Sequence, residues 1–191
     1  MISTFTAVFD ANVLFSIRLT SLLMWLAMSG HFRARWSVDI HREWMAAVAK
    51  ERGISIDQLE HRRQAMDAAV LDCCVTGYDE LIPGLRLPDA NDRHVLAAAI
   101  CCGADVIVTF NENDFPADAI ERYGIHTRHP DDFILDVHGL HQGAVEKAAK
   151  DDLAHYLEPP LDVDEYIEGL RACGIPKTAD YLRKAKVFLT S

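Results

Sequence analysis

Pro88-Asp89-Ala90-Asn91-Asp92-Arg93-His94-Val95-Leu96-Ala97-Ala98-Ala99-Ile100-Cys101-Cys102-Gly103-Ala104-Asp105-Val106-Ile107-Val108-Thr109 is the stretch that decides the fold. It opens on turn-forming residues and continues as an Ala-rich helix from Val95 to Cys102, which Gly103 stops. Ala104 to Thr109 is then a β-branched apolar run bounded by turn residues, the pattern of a strand buried on both faces. A helix that leads through a glycine into a fully buried strand belongs to an alternating β/α chain with a parallel sheet.

Working outward, a first strand is expected over Thr4 to Phe9, with a turn at Asp10-Ala11-Asn12. Leu19, Leu22, Leu23, Leu26 and Ala27 follow helical spacing up to a stop at Gly30. Arg35 to Val38 is a short extended piece, and a helix from about Ile40 to Glu51 ends at Gly53. Ser55 with Gln58 forms a capping box for a helix reaching about Asp72, with Leu59, Met66, Val70 and Cys73 inward. Cys74 to Tyr78 is a strand candidate, Pro116 opens a helix to Tyr123, Gly124 to Thr127 is a last strand, and Pro130 starts a helix to Val137. The expected order is β-α-α-α-β-α-β-α-β: a three-layer α/β/α sandwich on a parallel sheet of four or five strands. After His138-Gly139 only helical patterns follow: His141 to Leu157, then, past Pro159-Pro160, Val163 to Cys173 and Thr178 to Val187. Residues 1–138 are expected to form the α/β domain and 139–191 a small helical extension.

Half of the 191 residues are hydrophobic and a quarter are charged, the composition of a globular domain. Leu19 to Met28 is too short to span a bilayer, and Met1 to Phe5 lacks the basic start of a leader, so a cytoplasmic chain without a membrane segment is expected. The five cysteines follow no zinc spacing and read as reduced thiols. A net charge of −10 opposes phosphate binding, although basic residues cluster locally, as at Arg93-His94 and Arg122 to His129.

Four acidic residues, Asp10, Glu43, Asp92 and Asp114, each fall where a strand or helix begins or ends. In a parallel α/β fold such positions converge on one sheet edge. Gathered carboxylates repel and raise one another's pKa unless a cation neutralises them, and an oxygen-only set favours Mg²⁺ or Mn²⁺. This is the donor set of a metal-dependent phosphodiesterase. Each residue also has a plainer reading: Asp10 as a helix N-cap, Glu43 as a first-turn carboxylate, Asn111 to Asp114 as turn formers. Asp89 is expected as the N-cap of the helix that follows it, leaving Asp92 at about N3 as the ligand.

Residues 4 to 136 resemble the PIN-domain nucleases, and especially their bacterial VapC-like toxin branch. The resemblance rests on Phe9-Asp10-Ala11-Asn12-Val13-Leu14, on Ser37 with Glu43, and on the stretch from Pro88 through Thr109 to Asn111-Glu112-Asn113-Asp114-Phe115-Pro116. The helical tail, with Leu157-Glu158-Pro159-Pro160 and Glu165-Tyr166, is similar to the C-terminal extension of a subset of these proteins. The resemblance implies a Mg²⁺- or Mn²⁺-dependent endoribonuclease, the toxin of a type II toxin–antitoxin pair. It carries Asp10, Glu43, Asp92 and Asp114 over as the acidic quartet, with Asn12, Asp89, Thr109 and Asn111 at supporting positions. It also implies RNA as substrate, an antitoxin partner and a homodimer, with the helix Leu19 to Met28 offered either as dimer contact or as core. Two other readings compete: a non-catalytic PIN scaffold, and a phosphatase-like hydrolase with Asp10 as nucleophile. The second fails because Asn12 stands where the general acid would be needed.

Overall fold

The computed structural model describes residues 4–157 and 159–190. The N-terminal residues 1–3 weighed above as a leader, and Glu158 of the Leu157 to Pro160 motif, lie outside the described residues. The chain forms two compact units: the part up to Phe15 joins Phe32–His129, and Ser16–His31 joins the part from Pro130 onward.

The first unit is built on five parallel strands in the order β3-β2-β1-β4-β5. They are β1 (Thr6–Phe9), β2 (Arg33–Ser37), β3 (Cys74–Val75), β4 (Val106–Val108) and β5 (His126–Arg128). Every residue of β1 and β4 is buried. Because successive side chains point to opposite faces, an unbroken buried run means that both faces of the central strands are covered.

The unit's helices are α1 (Ala11–Leu14), α3 (Val38–Arg52), α4 (Ile56–Ala69), α5 (Arg93–Cys101) and α6 (Ala117–Ile120). Ser37 caps α3, its hydroxyl accepting from the Ile40 amide at 3.2 Å, and Gly53 closes the helix in the left-handed conformation. Ser55 and Gln58 form the expected capping box of α4. Leu59, Met66, Val70 and Cys73 all point into the core.

Several expectations need correction. Asp10-Ala11-Asn12 is not a simple turn: Asp10 nucleates α1. The extended piece Arg35 to Val38 is a full strand inside the sheet, pairing with β1 and β3, so the element order gains a strand. Its alternation was obscured by Arg33 and Arg35, whose long stems reach out of the sheet while Ala34 and Trp36 fill the core. The strand Cys74 to Tyr78 shrinks to two residues, because Gly77 turns the chain at φ 76 and delivers the Tyr78 hydroxyl to Asp39 at 2.7 Å. Asp89 does not cap α5. It accepts from the Asn91 amide at 2.8 Å in a local turn, and Asp92 itself occupies the N-cap position, with no side-chain capping bond.

The second unit is helical: α2 (Ile17–Met28), α7 (Pro130–Leu140), α8 (Ala144–Leu153), α9 (Val163–Ala172), α10 (Pro176–Lys184) and α11 (Lys186–Thr190). The apolar face of α2 packs on α8 and α9, and Leu19, Leu22, Leu23 and Leu26 are fully buried within one chain. This helix therefore groups with the tail, although it follows the first strand in sequence. The tail ends in two helices rather than the single one expected from Thr178 to Val187, since α10 terminates at Ala185 before α11 begins. Two buried carboxylates organise this unit. Asp152 accepts from Ser21 and, at 2.8 Å, from Tyr166; Asp131 accepts from the Lys177 and Thr178 amides at 2.8 and 2.7 Å. Among the described residues no helix is long and apolar enough to cross a membrane.

Candidate functional site

Strand register creates the site. Phe9 pairs with Val108, so the next residues, Asp10 and Thr109, stand side by side at the carboxyl ends of β1 and β4. The ladder continues one step past the strands: the Asp10 amide donates to the Val108 carbonyl and the Thr109 amide to the Arg128 carbonyl, both at 3.0 Å.

Asp10 is 4% exposed, and both its carboxylate oxygens are engaged. Oδ1 accepts from the Ala11 amide at 2.6 Å, which caps α1. Oδ2 accepts from Thr109 Oγ1 and from Asn12 Nδ2, each at 2.7 Å. Asn12 Nδ2 also reaches Thr109 Oγ1 at 2.9 Å, while its Oδ1 accepts from the Phe110 amide at 3.1 Å. The Asn111 amide donates to Thr109 Oγ1 at 3.0 Å. Asp10 is thus a cap and, at the same time, a carboxylate clamped in one orientation. Burial pushes its carboxyl up, the bonds from Thr109 and Ala11 pull it down, and Glu43 pushes it up again.

Asp92 carries the clearest electrostatic signature. Its carboxyl is pushed up to about 7, first by burial and then by repulsion from Asp10, Asp114, Asp89 and Glu43. Asp10, Glu43, Asp89 and Asp114 are thus the carboxylates whose charge is felt at Asp92. Glu43, on α3, meets His94 of α5, with Nε2 and Oε2 3.2 Å apart. Asp114 is half-buried at the end of the turn Glu112–Asp114, its amide bonded to the Asn111 carbonyl at 3.0 Å. Asn111 takes part through its backbone, and its side chain is exposed.

Two contributors went unnoticed in the sequence. Asp39, in the first turn of α3, accepts from Tyr78 and Arg42; these bonds, with His94 nearby, hold its carboxyl below the usual range despite partial burial. His41 is buried, with Nε2 3.0 Å from Asp67 Oδ1, and its Nδ1 accepts from Trp44 Nε1 at 2.9 Å. Asp67 also takes the Trp36 indole at 2.8 Å and Arg63 at 2.7 Å, so this network fixes α3, and Glu43 with it, against β2 and α4. The Asp39–Tyr78, His41–Asp67 and Trp36–Asp67 pairs are 39, 26 and 31 residues apart, too far for spacing to announce them. In the Arg93-His94 pair that the sequence marks as basic, His94 Nδ1 and Arg93 Nε are buried with no hydrogen-bond partner among the described residues.

Among the described residues no three His, Cys, Asp or Glu side chains stand close enough to hold an ion by themselves. The donor chemistry nevertheless fits a hard cation: the gathered groups are oxygen donors, and their mutual repulsion leaves Asp92 uncompensated. Mg²⁺ needs only one or two carboxylates, since it keeps several waters.

A parallel five-stranded sheet, helices on both faces and carboxylates at the carboxyl edge define the class, and the chain belongs to the PIN domain family, whose model matches residues 6–113. Residues 130–184 match the model described as VapC50 C-terminal domain. Over 94 residues the chain is 39% identical to a Mycobacterium tuberculosis (strain ATCC 25618 / H37Rv) protein named "Putative ribonuclease VapC50". That alignment covers 49% of this chain and 55% of the relative, so the chain spans about half the length of the curated relative it matches. No solved structure matches the chain.

Proposed function

We propose that this protein is a divalent-metal-dependent endoribonuclease that hydrolyses RNA phosphodiester bonds, as the toxin of a type II toxin–antitoxin pair. The observation that carries the reading is the Asp92 carboxyl, pushed up to about 7 first by burial and then by the charges of Asp10, Asp114, Asp89 and Glu43. A fold that assembles this much repulsion at a sheet edge gains from a cation there. PIN-family membership and the likeness to a relative named as a ribonuclease support the same conclusion.

In this reading Asp10, Asp92 and Asp114 hold Mg²⁺ or Mn²⁺, with Glu43 joining directly or through water. The ion, when bound, supplies Lewis-acid stabilisation of phosphate oxygens and acidifies water. Thr109 and Asn12 fix the orientation of the Asp10 carboxylate, which spares the site that reorganisation during reaction. His94 restrains Glu43 at 3.2 Å. Asp89 adds charge from the loop before α5, and Asn111 supports Thr109 through its amide. An antitoxin offering an arginine would pair well with this carboxylate cluster. A homodimer and a cytoplasmic location complete the proposal.

Induced expression in a bacterial host tests the toxin assignment. Wild type should arrest growth, and the Asp10→Asn, Asp92→Asn double variant at equal abundance should not. Equal arrest by both, or growth unaffected by wild type, would contradict it.

A further inference from the structure

A cavity of about 320 Å³ adjoins the acidic site and shares Asn12 and Glu43 with it. That volume falls within the range of small-ligand pockets. Glu43, Ala47 and Glu51 recur at every fourth position of α3 and line one wall; Ala11 and Phe15 line another, and Trp44 contributes from below the surface. Glu51 is eight residues beyond Glu43, about 12 Å further along the helix at ~1.5 Å per residue. The cavity therefore starts at the carboxylate cluster and runs away from it, with apolar walls between two carboxylates.

We propose that this cavity receives a guanine base of the RNA next to the cleaved phosphodiester, and that Glu51 reads its Watson–Crick edge. The proposal rests on the nuclease reading above. Two carboxylates repel a phosphate backbone, so the cavity suits the uncharged part of a nucleotide, whose faces are apolar and whose edge carries N–H groups. A carboxylate only accepts hydrogen bonds. Among the four bases guanine alone presents two adjacent donors, N1–H and the N2 amino group, to a single carboxylate, whereas adenine, cytosine and uracil present one donor group each. Glu43 is already engaged by His94, whereas Glu51 is exposed and has no hydrogen-bond or ion-pair partner among the described residues. The walls are also held firm. Arg62 lies 4.5 Å over the Trp44 ring and donates to the Leu14 carbonyl, and Arg52 lies 5.3 Å over the Phe15 ring.

The test compares guanine with hypoxanthine, which lacks the N2 amino group. Cut sites are mapped on a random-sequence RNA pool, and rates are measured on one oligonucleotide carrying guanosine or inosine at the preferred position. Binding of guanosine and inosine monophosphates is followed in parallel by NMR, for wild type, Glu51→Gln and Ala47→Leu. Wild type should cut beside guanine and favour guanosine over inosine by about 10- to 150-fold, the effect of losing one hydrogen bond to a charged group. Glu51→Gln should abolish that discrimination, and Ala47→Leu, which fills the cavity, should weaken binding of both nucleotides. No preference in wild type, or a preference that Glu51→Gln leaves intact, overturns the proposal. Glu51-dependent nucleotide binding without any RNA cleavage would uphold the base pocket and overturn the nuclease reading instead.

Discussion

Thr109 Oγ1 donates to Asp10 Oδ2 across 2.7 Å, and this bond ties together the carboxyl ends of two neighbouring strands that lie 99 residues apart in sequence. The same hydroxyl accepts from Asn12 and from the Asn111 amide, so one side chain orients most of the Asp10 surroundings. Thr109→Val keeps the shape and removes every one of these bonds. It should cost about 10- to 100-fold in metal affinity or cleavage rate, the usual penalty for losing a group that orients a ligand, and Thr109→Ser should recover most of it. Metal titration and initial cleavage rates on the three proteins give the comparison.

Asp92 links stability to pH. Its folded carboxyl titrates near 7, above the ordinary carboxylate value, so the folded state holds a proton that the unfolded chain has already released. Stability without metal therefore falls as pH rises from the ordinary carboxylate range to about 7, and Asp92→Asn removes that loss. Thermal melts in EDTA should show the variant melting above wild type at pH 8 and closer to it at pH 5. Added Mg²⁺ or Mn²⁺ should raise the wild-type melting temperature more at pH 8 than at pH 6, because the ion binds the deprotonated carboxylates.

His41 acts in the opposite direction. Burial holds its pKa below the ordinary value of 6.5, and its Nδ1 is needed as an acceptor for Trp44. The unfolded chain takes up a proton more readily, so stability is lost as pH falls below about 6.5. The pH 7 to pH 5 drop in melting temperature should shrink in His41→Leu, which is less stable overall because the Trp44 N–H and Asp67 lose their partner.

Much of the fold was legible because the signals were local. The unbroken apolar runs of β1 and β4, the stop at Gly53 and the Ser55–Gln58 box each depend on a few adjacent residues. β2 was underrated because its pairing with β1 and β3, not its sequence, makes Arg33 and Arg35 strand residues. The residues proposed for the site, Asp10, Glu43, Asp92 and Asp114, were chosen from where elements begin and end. The shift of Asp92 from N3 to N-cap could not be read there, because Asp89 has an equally good local use in its turn. Asp39 and Asp67 were invisible because Tyr78 and Trp36 reach them only through the folded arrangement.

In the helical unit Asp131 is the residue to remove. Its carboxylate accepts the Lys177 and Thr178 amides at the start of α10, and it is 1% exposed. Asp131→Ala leaves the buried Thr178 amide and the part-buried Lys177 amide without that acceptor and should cost about 1–3 kcal/mol in chemical denaturation, while exposed Asp118→Ala should cost almost nothing.

The most direct measurement is cleavage of total cellular RNA by wild type and Asp10→Asn in Mg²⁺, Mn²⁺ or EDTA. Wild type should cut in either metal and not in EDTA, and the variant should lose nearly all of that cutting. Cutting that survives EDTA, or that Asp10→Asn performs as well as wild type, would contradict the proposed function.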